Sequence, residues 1–72
     1  MITKESRFRV IGGETASFNI GDVIRPVKFI NNKWMIGHNY RQSLPFNELE
    51  DGTYECVSDV SGKLLAKIER IK

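Results

Sequence analysis

His38 is the side chain here whose unperturbed charge changes near neutral pH, and Ser43 is the nearest candidate nucleophile. A histidine beside a serine is the beginning of a base–nucleophile pair. Acyl or phosphoryl transfer also needs a group that orients the base and donors that hold developing charge in a pocket. Nothing in the sequence brings such a third partner to His38 and Ser43, so no catalytic residue is assigned and no enzymatic activity is expected. Metal chemistry is equally short of ligands. His38 and Cys56 are the sole histidine and cysteine, too few for a nitrogen–sulfur zinc site. Glu48, Glu50 and Asp51 lack the Asp/Gly spacing of a calcium loop and read as a solvated turn. The glycines at 12, 13, 21, 37, 52 and 62 have neither P-loop nor dinucleotide spacing. No metal and no cofactor is therefore expected.

What the chain offers in place of catalysis is a segment suited to binding. From Val23 to Asn47 there is no acid, while Arg25, Lys28, Lys33, His38 and Arg41 are interleaved with Phe29, Trp34, Tyr40 and Phe46. Elsewhere acids and bases mix, so the net charge of +2 conceals one locally basic, aromatic-rich stretch. Two binding readings follow. In the first, Trp34, Met35, Tyr40, Arg41, Pro45 and Phe46 contact a protein partner, because aromatic, methionine and arginine side chains are enriched at interface centres. In the second, Arg7, Arg9, Arg25, Lys28 and Lys33, with Arg41, form a basic sheet face for nucleic acid, and Trp34 or Tyr40 stacks bases. The small net charge and the acids Glu48, Glu50, Asp51, Glu55 and Glu69 weaken the second reading. A protein partner is the preferred expectation.

The elements that must position these residues read as short strands. Residues 7–11 alternate, with Phe8 and Val10 on one face and Arg7 and Arg9 on the other, and Gly12-Gly13 ends the run. Gly21-Asp22 turns the chain into a second strand, residues 23–30. There Val23, Arg25, Val27 and Phe29 share one face, and Ile24, Pro26, Lys28 and Ile30 share the other. Pro26 has no N–H to donate, so this strand lies at a sheet edge or is bulged there. An edge would let a second copy pair with it. Asn31-Asn32 is a two-residue hairpin turn, returning through Lys33–His38 with Trp34 and Ile36 on one face and Lys33 and Met35 on the other.

Residues 39–52 are turn-rich, anchored by Leu44, Pro45, Phe46 and Leu49, with a short 3₁₀ turn expected near Phe46–Leu49. A further strand runs over Thr53–Ser58, where Cys56 reads as a small buried hydrophobe. After a loop at 59–62, Leu64, Ala66 and Ile68 alternate with Lys63, Lys67 and Glu69 as a strand. A helical stripe through Leu64, Leu65, Ile68 and Ile71 is the alternative.

Ser17-Phe18-Asn19-Ile20-Gly21-Asp22-Val23-Ile24 resembles the diverging turn of SH3-like barrels. Trp34 stands where that family carries its ligand-facing tryptophan, with packing in the core beside Ile36 as the alternative, and Leu44-Pro45-Phe46-Asn47-Glu48-Leu49 is similar to the turn that contributes its groove proline. The resemblance spans roughly residues 7–57 and implies a small closed sheet. It does not extend to recognition of proline-rich peptides. Glu48 replaces the tyrosine expected after the proline, and Arg7-Phe8-Arg9-Val10 replaces the aromatic N-terminal motif.

At 72 residues this is one domain, 1–72, in which folding buries only about 60% of the unfolded chain's surface. Residues 1–6 read as a flexible N-terminus. They contain no apolar core of a signal peptide, and no apolar run approaches the ~20 residues that cross a bilayer. The expectation is an all-β, SH3-like small barrel of five to six antiparallel strands with a C-terminal strand or short helix, cytoplasmic and away from membranes. Such compact barrels are similar to small phage and mobile-element proteins that modulate a host protein, which is an argument by analogy.

Overall fold

A computed structural model describes residues 2–72. Seven strands form one antiparallel sheet: β1 (Phe8–Gly12), β2 (Val23–Ile30), β3 (Lys33–Gly37), β4 (Ser43–Pro45), β5 (Asn47–Glu48), β6 (Tyr54–Val57) and β7 (Leu64–Arg70). There is no helix among the described residues, hence none long and apolar enough to cross a membrane. The order across the sheet is β4-β3-β2-β1-β7-β6-β5. That order forces curvature. Laid flat, seven strands would hold β4 and β5 about 29 Å apart, yet Phe46 alone separates them in the chain, a reach of at most ~7 Å. The sheet therefore curls until its two edges nearly meet, and the protein is an all-β small barrel.

Apolar alternation fills the barrel. Phe8 and Val10 from β1, Ile24 from β2, Ile36 from β3, Tyr54 and Cys56 from β6, and Ala66 and Ile68 from β7 are buried together with Phe18 and Phe46. The Phe8 and Tyr54 rings meet edge to face at 5.2 Å. Residues 64–70 are a strand, and Ile71, which the helical stripe would bury, is exposed. The Asn31-Asn32 turn forms as expected, both residues holding positive φ (53° and 63°).

Several expectations are refined or corrected. One concerns the reach of β2's pairing: β1 lies beside it only at Val23 and Ile24 and β3 from Arg25 to Ile30, so at Pro26 it has a strand on one side alone, as at an edge. Both routes that accommodate Pro26 occur: it lies beyond the β1 pairing, and a bulge between Pro26 and Lys28 leaves Val27 unpaired. The sheet ends in β4 and β5, three and two residues long. No 3₁₀ turn forms at Phe46–Leu49. The chain stays extended through β4, Phe46 and β5, and turns between Leu49 and Thr53. In the N-terminal segment Met1 lies outside the described residues, Ile2 packs against the core, and Thr3–Ser6 close a hydrogen-bonded turn with Ser6 buried.

Candidate functional site

The bulge at Val27 decides which side chains meet. Residues directly opposite in an antiparallel pair share a face. Before the bulge Pro26 opposes Ile36, and Ile36 opposes Leu44, all on the core side. After it Lys28 opposes Met35, and Met35 opposes Pro45, on the outside. An unbroken alternation would have put Lys28 with Ile24 and Pro26. The extra residue sends it outward and turns Phe29 to the Trp34 side. Arg25 opposes Gly37 and also faces outward.

Gly37 brings the loop onto this outer face. A Cβ at this position would collide with the Gln42 carbonyl oxygen and approach Ser43 Cα to 2.6 Å. Without one, residues 38–42 fold back across β3, held by a 3.0 Å bond from His38 N to the Gln42 carbonyl. Asn39 Oδ1 accepts the backbone N–H groups of Arg41 and Gln42, both at 2.9 Å, which fixes the loop from inside. Tyr40 is thereby delivered beside β2, where Lys28 Nζ sits 4.0 Å from its ring centroid, a cation–π contact.

The outer face of β2, β3 and β4 thus carries Arg25, Lys28, Met35, Tyr40 and Pro45 as one continuous surface, with exposed Arg41 on the same loop. Phe46 leaves the contact set. At 6% exposure its ring belongs to the core, because its side chain lies inside the seam between β4 and β5. Trp34 is half-buried: it packs on the core and meets exposed Phe29 edge to face at 5.3 Å, away from the outer surface.

The expected basic set divides in the same way. Arg7 spends its guanidinium on the carbonyls of Lys4 and Ser6, at 3.0 and 2.8 Å. Arg9 is paired with Glu69 at 3.6 Å. Lys33 starts β3 at the hairpin end, where its charge is felt by Cys56. Arg25 and Lys28 remain on the outer face. Lys4, unassigned in the sequence, joins them by lining a cleft with Arg25 and Tyr40. No local pattern announces it, since its position depends on the N-terminal turn docking against the barrel.

His38 and Ser43 are not joined by a hydrogen bond among the described residues. His38 Nε2 meets Asp22 Oδ2 at 3.1 Å with the Phe18 ring at 5.4 Å, and Ser43 Oγ donates to the Tyr40 carbonyl at 3.2 Å. The Asp22–His38 contact ties the end of β3 to the turn before β2. Asp22 Oδ2 also accepts from Asn19 N in that turn. Burial raises the Cys56 thiol pKa, with Asp59 adding to the rise and Lys33 opposing it. Hydrogen bonds from the Thr53 hydroxyl and backbone lower that of Asp51. Among the described residues no three His, Cys, Asp or Glu side chains gather as a metal-ligand group. No family model, curated protein or solved structure matches the chain.

Proposed function

We propose that this protein is a small, non-catalytic binding module with an SH3-like barrel, and that it docks the outer face of β2, β3 and β4 onto an acidic surface of a partner protein. The SH3-like assignment is supported by the turn at Phe18–Ile24 and by a meander of β1 to β4 in which β1 also pairs with the chain's last strand, β7. Docking is supported by one observation above the others. Residues 23–47 hold four of the eleven Lys and Arg and none of the nine acids, which leaves the remainder of the chain at net −2. That segment builds a face where methionine, proline and tyrosine lie among unopposed cations. Apolar and aromatic contact gives area, while the cations set orientation and partner choice.

Nucleic acid is the second reading, favoured by the same acid-free surface. Its stacking platform is weak: one face of Tyr40 is occupied by Lys28, and Trp34 is engaged by the core and Phe29. The test compares wild type with Arg25→Glu/Lys28→Glu in affinity capture from the native cell, followed by binding of the purified partner, with circular dichroism to verify the fold. The variant should lose the partner. Equal capture by both proteins would reject this face. Oligonucleotide binding at low salt that falls roughly twentyfold or more between about 50 and 200 mM salt would favour nucleic acid instead.

A further inference from the structure

The bulge in β2 lies beside an opening at the surface. Lys4, Arg25, Pro26, Val27, Asn39 and Tyr40 line a cleft of about 350 Å³. Asn39 is committed to the wall, since its oxygen accepts two backbone N–H groups and its Nδ2 donates to Gln42 Oε1 at 3.0 Å. Pro26 is buried and contributes apolar surface. The groups left to a ligand are the Lys4 ammonium, the Arg25 guanidinium, the Tyr40 hydroxyl and the face of its ring that Lys28 does not cover. Neither cation has an acid within salt-bridge distance among the described residues, and no carboxylate lines the cleft. The second depression of the surface is different in kind: Gly13, Glu14, Lys63 and Leu64 line it, one acid beside one base.

We propose that the cleft between the β2 bulge and the Tyr40 loop is a carboxylate pocket, which receives an Asp or Glu side chain from an acidic segment of the partner. This rests on the docking reading above and names its anchor. A guanidinium offers a planar fork of donors that a carboxylate can bridge with both oxygens, and a neighbouring ammonium adds a second charge-assisted bond. The cleft is larger than one carboxylate side chain and leaves room for the flanking residues of an acidic segment. A polyanion would need a track of further cations: Arg7 and Arg9 are engaged with backbone carbonyls and with Glu69, while Lys28 is set against the Tyr40 ring and Arg41 lies outside the cleft lining. The charge pattern therefore fits a single anion held at a defined point.

The test titrates the isotopically labelled full chain with a capped peptide of alternating Glu and Asp, its Gln/Asn counterpart, and a short oligothymidylate, read by backbone amide shifts. The acidic peptide should move the amides of Arg25, Val27, Asn39 and Tyr40, and the uncharged peptide should not. Arg25→Gln should weaken binding about tenfold, Arg25→Lys less, and Lys63→Gln not at all. Dispersed spectra verify that the exposed-site variants remain folded. Shifts confined to Met35, Ser43 and Leu44 would overturn the pocket and leave the docking face standing. Equal losses from Arg25→Gln and Lys63→Gln would reduce the effect to diffuse attraction and overturn it. Tighter binding of oligothymidylate at the cleft amides, or no shift with any ligand, would overturn the pocket together with the reading it rests on.

Discussion

A methyl group at Gly37 has nowhere to go, because the backbone of Gln42 and Ser43 occupies its place. Gly37→Ala should therefore cost about 2–3 kcal/mol, a loss of roughly 2 M in the urea midpoint for a domain this small. It should also displace Tyr40 from Lys28, since the loop can no longer lie against β3. Cys56 gives a second residue-scale prediction. Its thiol is buried, and burial, ahead of Asp59, holds its pKa above the ordinary value. A raised folded pKa means that the fold favours the neutral thiol. The stabilisation is complete below the unfolded thiol's pKa and is lost as pH rises from there through the folded value. Urea midpoints should thus fall above about pH 9, less steeply in Cys56→Ala. A thiol reagent should label native Cys56 slowly at neutral pH and unfolded Cys56 fast.

The β2–β3 hairpin and the β4–β5 seam are the elements on which the surface depends. In the hairpin, Asn31 and Asn32 both sit in the left-handed region, where asparagine is tolerated and glycine is better. Asn32→Gly should stabilise by about 0.5 kcal/mol and raise the melting temperature by a few degrees, measured by thermal circular dichroism. In the seam, Phe46 plugs the gap between the two edge strands. Phe46→Ala should cost about 3–5 kcal/mol, a large part of the total stability expected for 72 residues. Phe29→Ala, at a ring 55% exposed, should cost well under half as much, with chemical denaturation distinguishing the two. The β2 bulge works at this scale as well: one unpaired residue at Val27 moves Lys28 to the outside, while Pro26 lies beyond the β1 pairing, where no strand asks for its missing N–H.

At the scale of the whole molecule, charge is unevenly distributed although the net value is only +2. The basic segment forms β2, β3, β4 and their loops, whereas Glu48, Glu50, Asp51, Glu55, Asp59 and Glu69 fall on the β5–β7 half among Lys63, Lys67 and Arg70. Two double reversals with the same change in net charge separate position from total charge. Arg25→Glu/Lys28→Glu should sharply reduce retention on heparin and the affinity for an acidic peptide. Lys63→Glu/Lys67→Glu should reduce both only slightly. Equal losses would mean that retention reads total charge alone.

Period-two alternation in residues 7–11 and 64–69, and the Asn31-Asn32 turn, made β1, β7 and the hairpin legible from the sequence, because strand faces and tight turns are governed by neighbours a few residues apart. The acid-free stretch was legible for the same reason, as was the burial of Cys56. Pro26 announced an irregularity, edge or bulge, and both occur: β1 pairing stops at Ile24 and Val27 is bulged. How far β1 runs beside β2 is a contact between separate segments that local pattern does not carry. Phe46 looked like a contact residue because an isolated ring in a polar loop carries no sign of inside or outside until β4 and β5 close around it. Lys4 became part of the cleft only when the N-terminal turn docked. The sequence by itself determined an all-β chain with one basic stretch. Tertiary structure alone decided which of those bases and rings share a face, since barrel closure and a one-residue bulge act between segments far apart in the chain.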